Sequence, residues 1–194
     1  MGIWGELIIA TLAQPKVAAR RILELRLSAE TLVEAALAVT CLGMICAFLA
    51  VQFNPAALDA STAFVVNNPL FGAAFQLGVL ALAVLIIFRF GQLFGGKGTA
   101  IGALAIAVWL DFMMVLIQVV QVMMLLLLPP LATLLTFVAV FWIMWAIACF
   151  VGELHGFENT IAVLGGVVLS MAMLFFSVAF VITILGAPMQ GSGP

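Results

Sequence analysis

One acid, Asp111, stands in a long apolar run that also carries Gln118 and Gln121, and the next charged residue along the chain is Glu153. Inside a membrane, such groups hydrogen-bond neighbouring helices, relay a proton or line the path of an ion, because a charge left in hydrocarbon costs about 2.5–3.5 kcal/mol on insertion scales. Asp111 is therefore expected to face the protein interior as a polar clamp, with Arg89 the one charged partner within reach from the adjacent span. Glu153, His155 and Glu158 form the sole grouping of a histidine with acids. Their spacing is specific to no metal, and the expectation is a solvated loop in which Glu153 or Glu158 pairs with Arg89 or Lys97.

Three cysteines, Cys41, Cys46 and Cys149, lie in apolar runs with no metal-site or disulfide spacing, and are read as buried, inert thiols. The segment Phe94-Gly95-Gly96-Lys97-Gly98-Thr99 has a superficial likeness to a phosphate loop, but neither the spacing nor a preceding buried strand is there. With one histidine and no nucleophile-and-base constellation, neither catalysis nor a cofactor is expected. A net charge of −2 without a Lys/Arg-rich block excludes nucleic acid as a partner.

The elements that must position these residues are membrane spans. The chain is 67% hydrophobic and 7% charged over 194 residues, against roughly 25% charged in soluble domains, and a small globule has no room to hide that excess. A span needs about 20 mostly apolar residues, which predicts an all-α bundle of five transmembrane helices at 31–53, 69–89, 99–128, 130–152 and 159–185, in a domain covering 31–187, with a short tail at 188–194. Thr31 and Glu34 fit a capping box at the first start, Pro69 suits a first helical turn, and Pro129-Pro130 divides an uncharged stretch too long for one span.

Residues 1–30 are predicted to form an interfacial amphipathic segment broken near Gln14-Pro15. Val17, Ala18, Ile22, Leu25 and Ala29 share an apolar face, while Lys16, Arg20 and Glu24 share another. Lys16, Arg20, Arg21 and Arg26 suit an anionic inner leaflet. Because Glu6 and a short apolar run precede these bases, the order opposes a cleaved signal. In a five-span topology all six Lys and Arg fall on one side and Asp59 on the other, which places the N-terminus in the cytoplasm and the C-terminus outside.

Small residues let helix backbones approach in lipid. Ala103 and Ala107 lead to Asp111 on one face of the third span, and Ala162, Gly166 and Ser170 form a row on the fifth. Trp142, Trp145 and Cys149 share a face of the fourth, read as packing rather than a cofactor box.

Gly95-Gly96-Lys97-Gly98-Thr99 entering a span with Gly102, Ala103, Leu104 and Trp109, together with Pro15 and Arg20-Arg21-Ile22-Leu23 ahead of Ser28, resembles the Yip family of Ypt/Rab-interacting membrane proteins, in its bacterial branch. The likeness extends over most of the chain as a lead-in and five spans. It implies a non-enzymatic protein of the bacterial inner membrane. Eukaryotic relatives act in vesicle traffic, bind small GTPases and influence membrane shape; the long cytosolic N-terminal region of those relatives is not expected here, so GTPase binding is not carried over. The expected role is a scaffold or accessory subunit that binds membrane lipid and other integral membrane proteins or itself. The rival expectation is a small transporter or channel using Asp111, Gln118 and Gln121.

Overall fold

In the computed structural model, which describes residues 2–53 and 60–186, the chain runs through eight α-helices, with no strand among the described residues. They are α1 (Ile3–Ala13), α2 (Pro15–Glu24), α3 (Ala29–Phe53), α4 (Ala60–Asn67), α5 (Pro69–Leu93), α6 (Ala100–Leu127), α7 (Pro129–His155) and α8 (Thr160–Gly186). Five of them, α3 and α5 to α8, are long and apolar enough to cross a membrane. Asp59 and the tail 188–194 lie outside the described residues.

Local chemistry sets the boundaries. Pro69 and Pro129 occupy first turns, where their missing N–H groups are not needed. Thr99 caps α6 by accepting the Gly102 N–H at 3.1 Å, and Asn159 Oδ1 accepts from Ile161 and Ala162 at the start of α8. The first span begins earlier than the expected Thr31 box: Ser28 Oγ accepts the Thr31 N–H at 3.1 Å, so Thr31 sits inside the first turn. Helix α7 runs on through the expected loop to His155, closed by Gly156 in the left-handed conformation (φ 73°) that glycine adopts without a Cβ penalty. Helix α4 was not anticipated; at eight residues it is too short to carry a legible apolar period.

The core forms where α6 meets α7 and the N-terminal helices. Ile106, Met113 and Phe150 are fully buried there alongside Leu7, Ala18 and Ala19. Helix α3 packs along α6, α5 leans on α6 and α3, and α8 touches only α7 and α5 among the main contacts. The N-terminal segment docks on protein. Pro15, Ala18, Ala19 and Ile22 turn inward, whereas Val17 and Leu25, assigned to the apolar face from sequence, are exposed. Two successive alanines let α2 approach α7 closely, which shifts the buried stripe. Trp109 Nε1 donates to Thr11 Oγ1 at 3.0 Å, and Trp4 stacks on the Trp109 ring.

Candidate functional site

Asp111 lies on α6 about 17 Å from Ala100 at about 1.5 Å per residue, deep within the span. It is half-buried, with Gln76 of α5 beside it. Gly43 of α3 admits that amide: a Cβ there would sit 3.1 Å from Gln76 Nε2 and 3.5 Å from Val115. A row of polar or small groups thus crosses α3, α5 and α6. The anticipated Arg89 contact does not form, because Arg89 is exposed at the far end of α5, and among the described residues it makes no ion pair with Asp111.

Four buried polar atoms in the bundle have no protein partner among the described residues: Thr40 Oγ1, Asp111 Oδ2, Gln118 Oε1 and Trp142 Nε1. Buried polar groups ordinarily find partners, so these four atoms stand out from the rest of the bundle. Gln118 follows Asp111 on the same face two turns on, about 10 Å away, whereas Gln121 turns aside and donates to Thr136 Oγ1 of α7 at 2.9 Å. The three intramembrane polar residues therefore do not form one cluster.

The second feature sits at the basic end of the bundle. His155, expected in solvent, is only 3% exposed. Its Nδ1 accepts the Gly98 N–H at 3.2 Å, and its Nε2 lies 3.1 Å from the Ile87 carbonyl. An accepting Nδ1 and a carbonyl at Nε2 require the neutral tautomer with hydrogen on Nε2. Both nitrogens are thereby engaged, which leaves no lone pair for a metal. Gly91, Gly96 and Gly98 surround the ring so closely that a Cβ on any of them would overlap it. The Lys97 N–H donates to the His155 carbonyl at 3.3 Å, tying the glycine loop to the end of α7. The glycines and the histidine were each legible in the sequence, but nothing in their spacing joined residues this far apart.

Charges pair differently from the expectation. Glu153 is held by Arg20 of α2, with 3.1 Å between Arg20 Nη2 and Glu153 Oε2, and not by Arg89 or Lys97. Docking of α2 brings Arg20 over the end of α7, where Lys97 is turned toward another cleft. Glu158 stays exposed, as do Lys16, Arg21 and Arg26.

Of the helix-packing residues, Ala103 and Ala107 are buried. Ala162, which is exposed, lines an apolar groove of about 700 Å³ between α5, α7 and α8 together with Gly166 and Ser170. Among the described residues no helix fills that groove. Cys41 is exposed on the outer face of α3, unlike Cys46 and Cys149. Trp145, 45% exposed, parts from Cys149 for the same reason: its side of α7 faces outward.

Five apolar helices long enough to span a membrane, three of them (α3, α6 and α7) sharing a core with the docked N-terminal helices, and a polar row between α3, α5 and α6 define an integral membrane protein of the helical-bundle class. Residues 9–181 match the family described as the Yip1 domain, and the chain belongs to that family. The Yip family is one of non-enzymatic membrane proteins. No curated protein and no solved structure gives a match to the chain.

Proposed function

We propose that this Yip-family protein is a scaffold or accessory subunit that organises other integral membrane proteins, or copies of itself, in a bacterial inner membrane, with its N-terminus cytoplasmic. The observation that carries this reading is the uncovered groove beside α8. Gly165 and Gly166 have nothing within 4 Å of where a Cβ would stand, and Gly166 and Ser170 form a small-residue face of the kind that lets a helix approach. The placement of the six basic residues on one side supports this orientation; Lys16, Arg21 and Arg26 add attraction to an anionic leaflet of about 1 kcal/mol each, while Arg20 is offset by Glu153. Asp111 serves as a polar clamp between α5 and α6, so Asp111→Asn keeps the fold and any partner.

A photo-crosslinking residue placed at Gly166 tests the scaffold in intact membranes. The expected product is a discrete protein adduct that Ser170→Leu abolishes; adducts to lipid alone would remove the scaffold reading. The unpartnered oxygens of Asp111 and Gln118 favour one second reading, a small transporter or channel. Ion flux in proteoliposomes that Asp111→Asn abolishes would put it first.

A further inference from the structure

Beside the histidine cradle, the end of α2, the glycine loop and the first turn of α6 enclose a cleft of about 440 Å³. That volume is within the range of small-ligand sites. Its wall is sorted by chemistry. Arg26 and Lys97 carry the only charges in it, and both are exposed; among the described residues neither forms an ion pair with an acid. The remaining lining is largely apolar, with Leu23, Leu154 and Ile101 prominent.

Two features hold this geometry. Arg26 adopts φ 46°, a left-handed conformation uncommon outside glycine, in the turn between α2 and α3. Lys97 is fixed by its backbone bond to His155. Gly102 allows the apolar wall to form: a Cβ there would stand 2.6 Å from Leu154 and 3.4 Å from Leu23. The Gly102 N–H is already taken by Thr99, and the two cations supply the charge for recognition.

We infer that this cleft is a binding site for one anionic phospholipid, with its phosphate between Arg26 and Lys97 and the start of its acyl chains along Leu23, Ile101 and Leu154. Basic pockets between spans at the charged face of a membrane bind lipid headgroups in this way. A phosphate gains from both cations, whereas a zwitterionic lipid brings its own ammonium group into the same space. The inference deepens the lipid contact proposed above and rests on that reading only for which leaflet supplies the lipid. It separates Arg26, which lines the cleft, from Lys16 and Arg21, which do not.

Native mass spectrometry of the full-length protein in mild detergent, titrated with short-chain phosphatidylglycerol or phosphatidylcholine, tests the site. Phosphatidylglycerol is expected to bind preferentially. Since each cation near an anionic surface contributes a little under one decade, the Arg26→Gln/Lys97→Gln double variant should weaken it by about 30-fold. Lys16→Gln/Arg21→Gln should change it by less than about threefold, because these residues act only at a distance through salt. The charge-preserving Arg26→Lys/Lys97→Arg variant should keep most of the affinity, and it decides the matter if the double glutamine variant does not fold. Equal weakening by the two glutamine pairs would mean a diffuse basic surface and overturn the site. So would equal binding of the two lipids, or displacement by glycerol 3-phosphate at the same concentration, which would make the ligand a soluble phosphate. Crosslinking at Gly166 reads a different cleft, so failure here leaves the scaffold reading standing, and the reverse also holds.

Discussion

Helices α6 and α8 have nearly the same apolar character and opposite situations. Half of an apolar stretch of α6 is buried inside the protein, against 12% for the Thr160–Ser177 part of α8. Apolar side chains gain nothing by leaving lipid for protein, so hydropathy alone gives a helix no reason to choose a neighbour; close packing and polar contacts decide. Helix α6 has both: Ala103 and Ala107 let other helices approach, Trp109 hydrogen-bonds Thr11, and Asp111 stands beside Gln76. Helix α8 spends its hydroxyls on itself, with Ser170, Ser177 and Thr183 each donating to the carbonyl four residues back. The well-packed half of the molecule is thus the half whose polar groups reach between helices.

The largest effect should come from glycines in the packed half. In Gly91→Ala or Gly96→Ala the new methyl overlaps the His155 ring, and overpacking at that contact should cost about 3 kcal/mol. Gly165→Ala on α8 meets nothing within 4 Å and should stabilise by about 0.5–1 kcal/mol through helix propensity. Thermal melting in detergent reads both, and like responses would erase the contrast between the two regions.

His155→Ala comes next. It removes an imidazole bonded to Gly98 and Ile87 and leaves the Gly98 N–H buried without a partner, at about 2 kcal/mol. Hydrogen exchange should accelerate over residues 95–99, and unchanged protection there would show that the loop is held by other contacts.

Trp109→Phe keeps an aromatic ring but deletes the bond to Thr11 and part of the indole packing, for about 1–2 kcal/mol. Limited proteolysis should then reach residues 3–13 sooner, while cleavage elsewhere stays as before. Smallest is Arg20→Gln. Its ion pair with Glu153 is exposed on the arginine side, so less than about 1 kcal/mol is expected, vanishing in high salt. A larger, salt-resistant loss would make charge, and not the buried alanines of α2, the anchor of the N-terminal hairpin.

Much of this architecture was open to sequence reading. Five apolar stretches with proline and glycine between them mark five spans because length and hydropathy are properties of each segment alone. Start positions were off by up to two residues where Ser28, and not Thr31, capped the helix, since both hydroxyls fit a cap and only backbone direction separates them. The site was legible in its parts. Asp111 stood out, and so did the glycine loop, but the neighbour of each lay on another helix.

Sequence by itself determined that the chain is a five-span helical bundle with its basic residues gathered at one end, because every backbone polar group in hydrocarbon must be satisfied within its own helix. Only the tertiary structure decided that His155 is buried among three glycines, that Arg20 and not Arg89 or Lys97 meets Glu153, that the N-terminal helices dock on α6 and α7, and that the small-residue row on α8 faces an open groove. In lipid all apolar faces are nearly equivalent, and the few polar and steric contacts that break the tie join residues far apart in the chain.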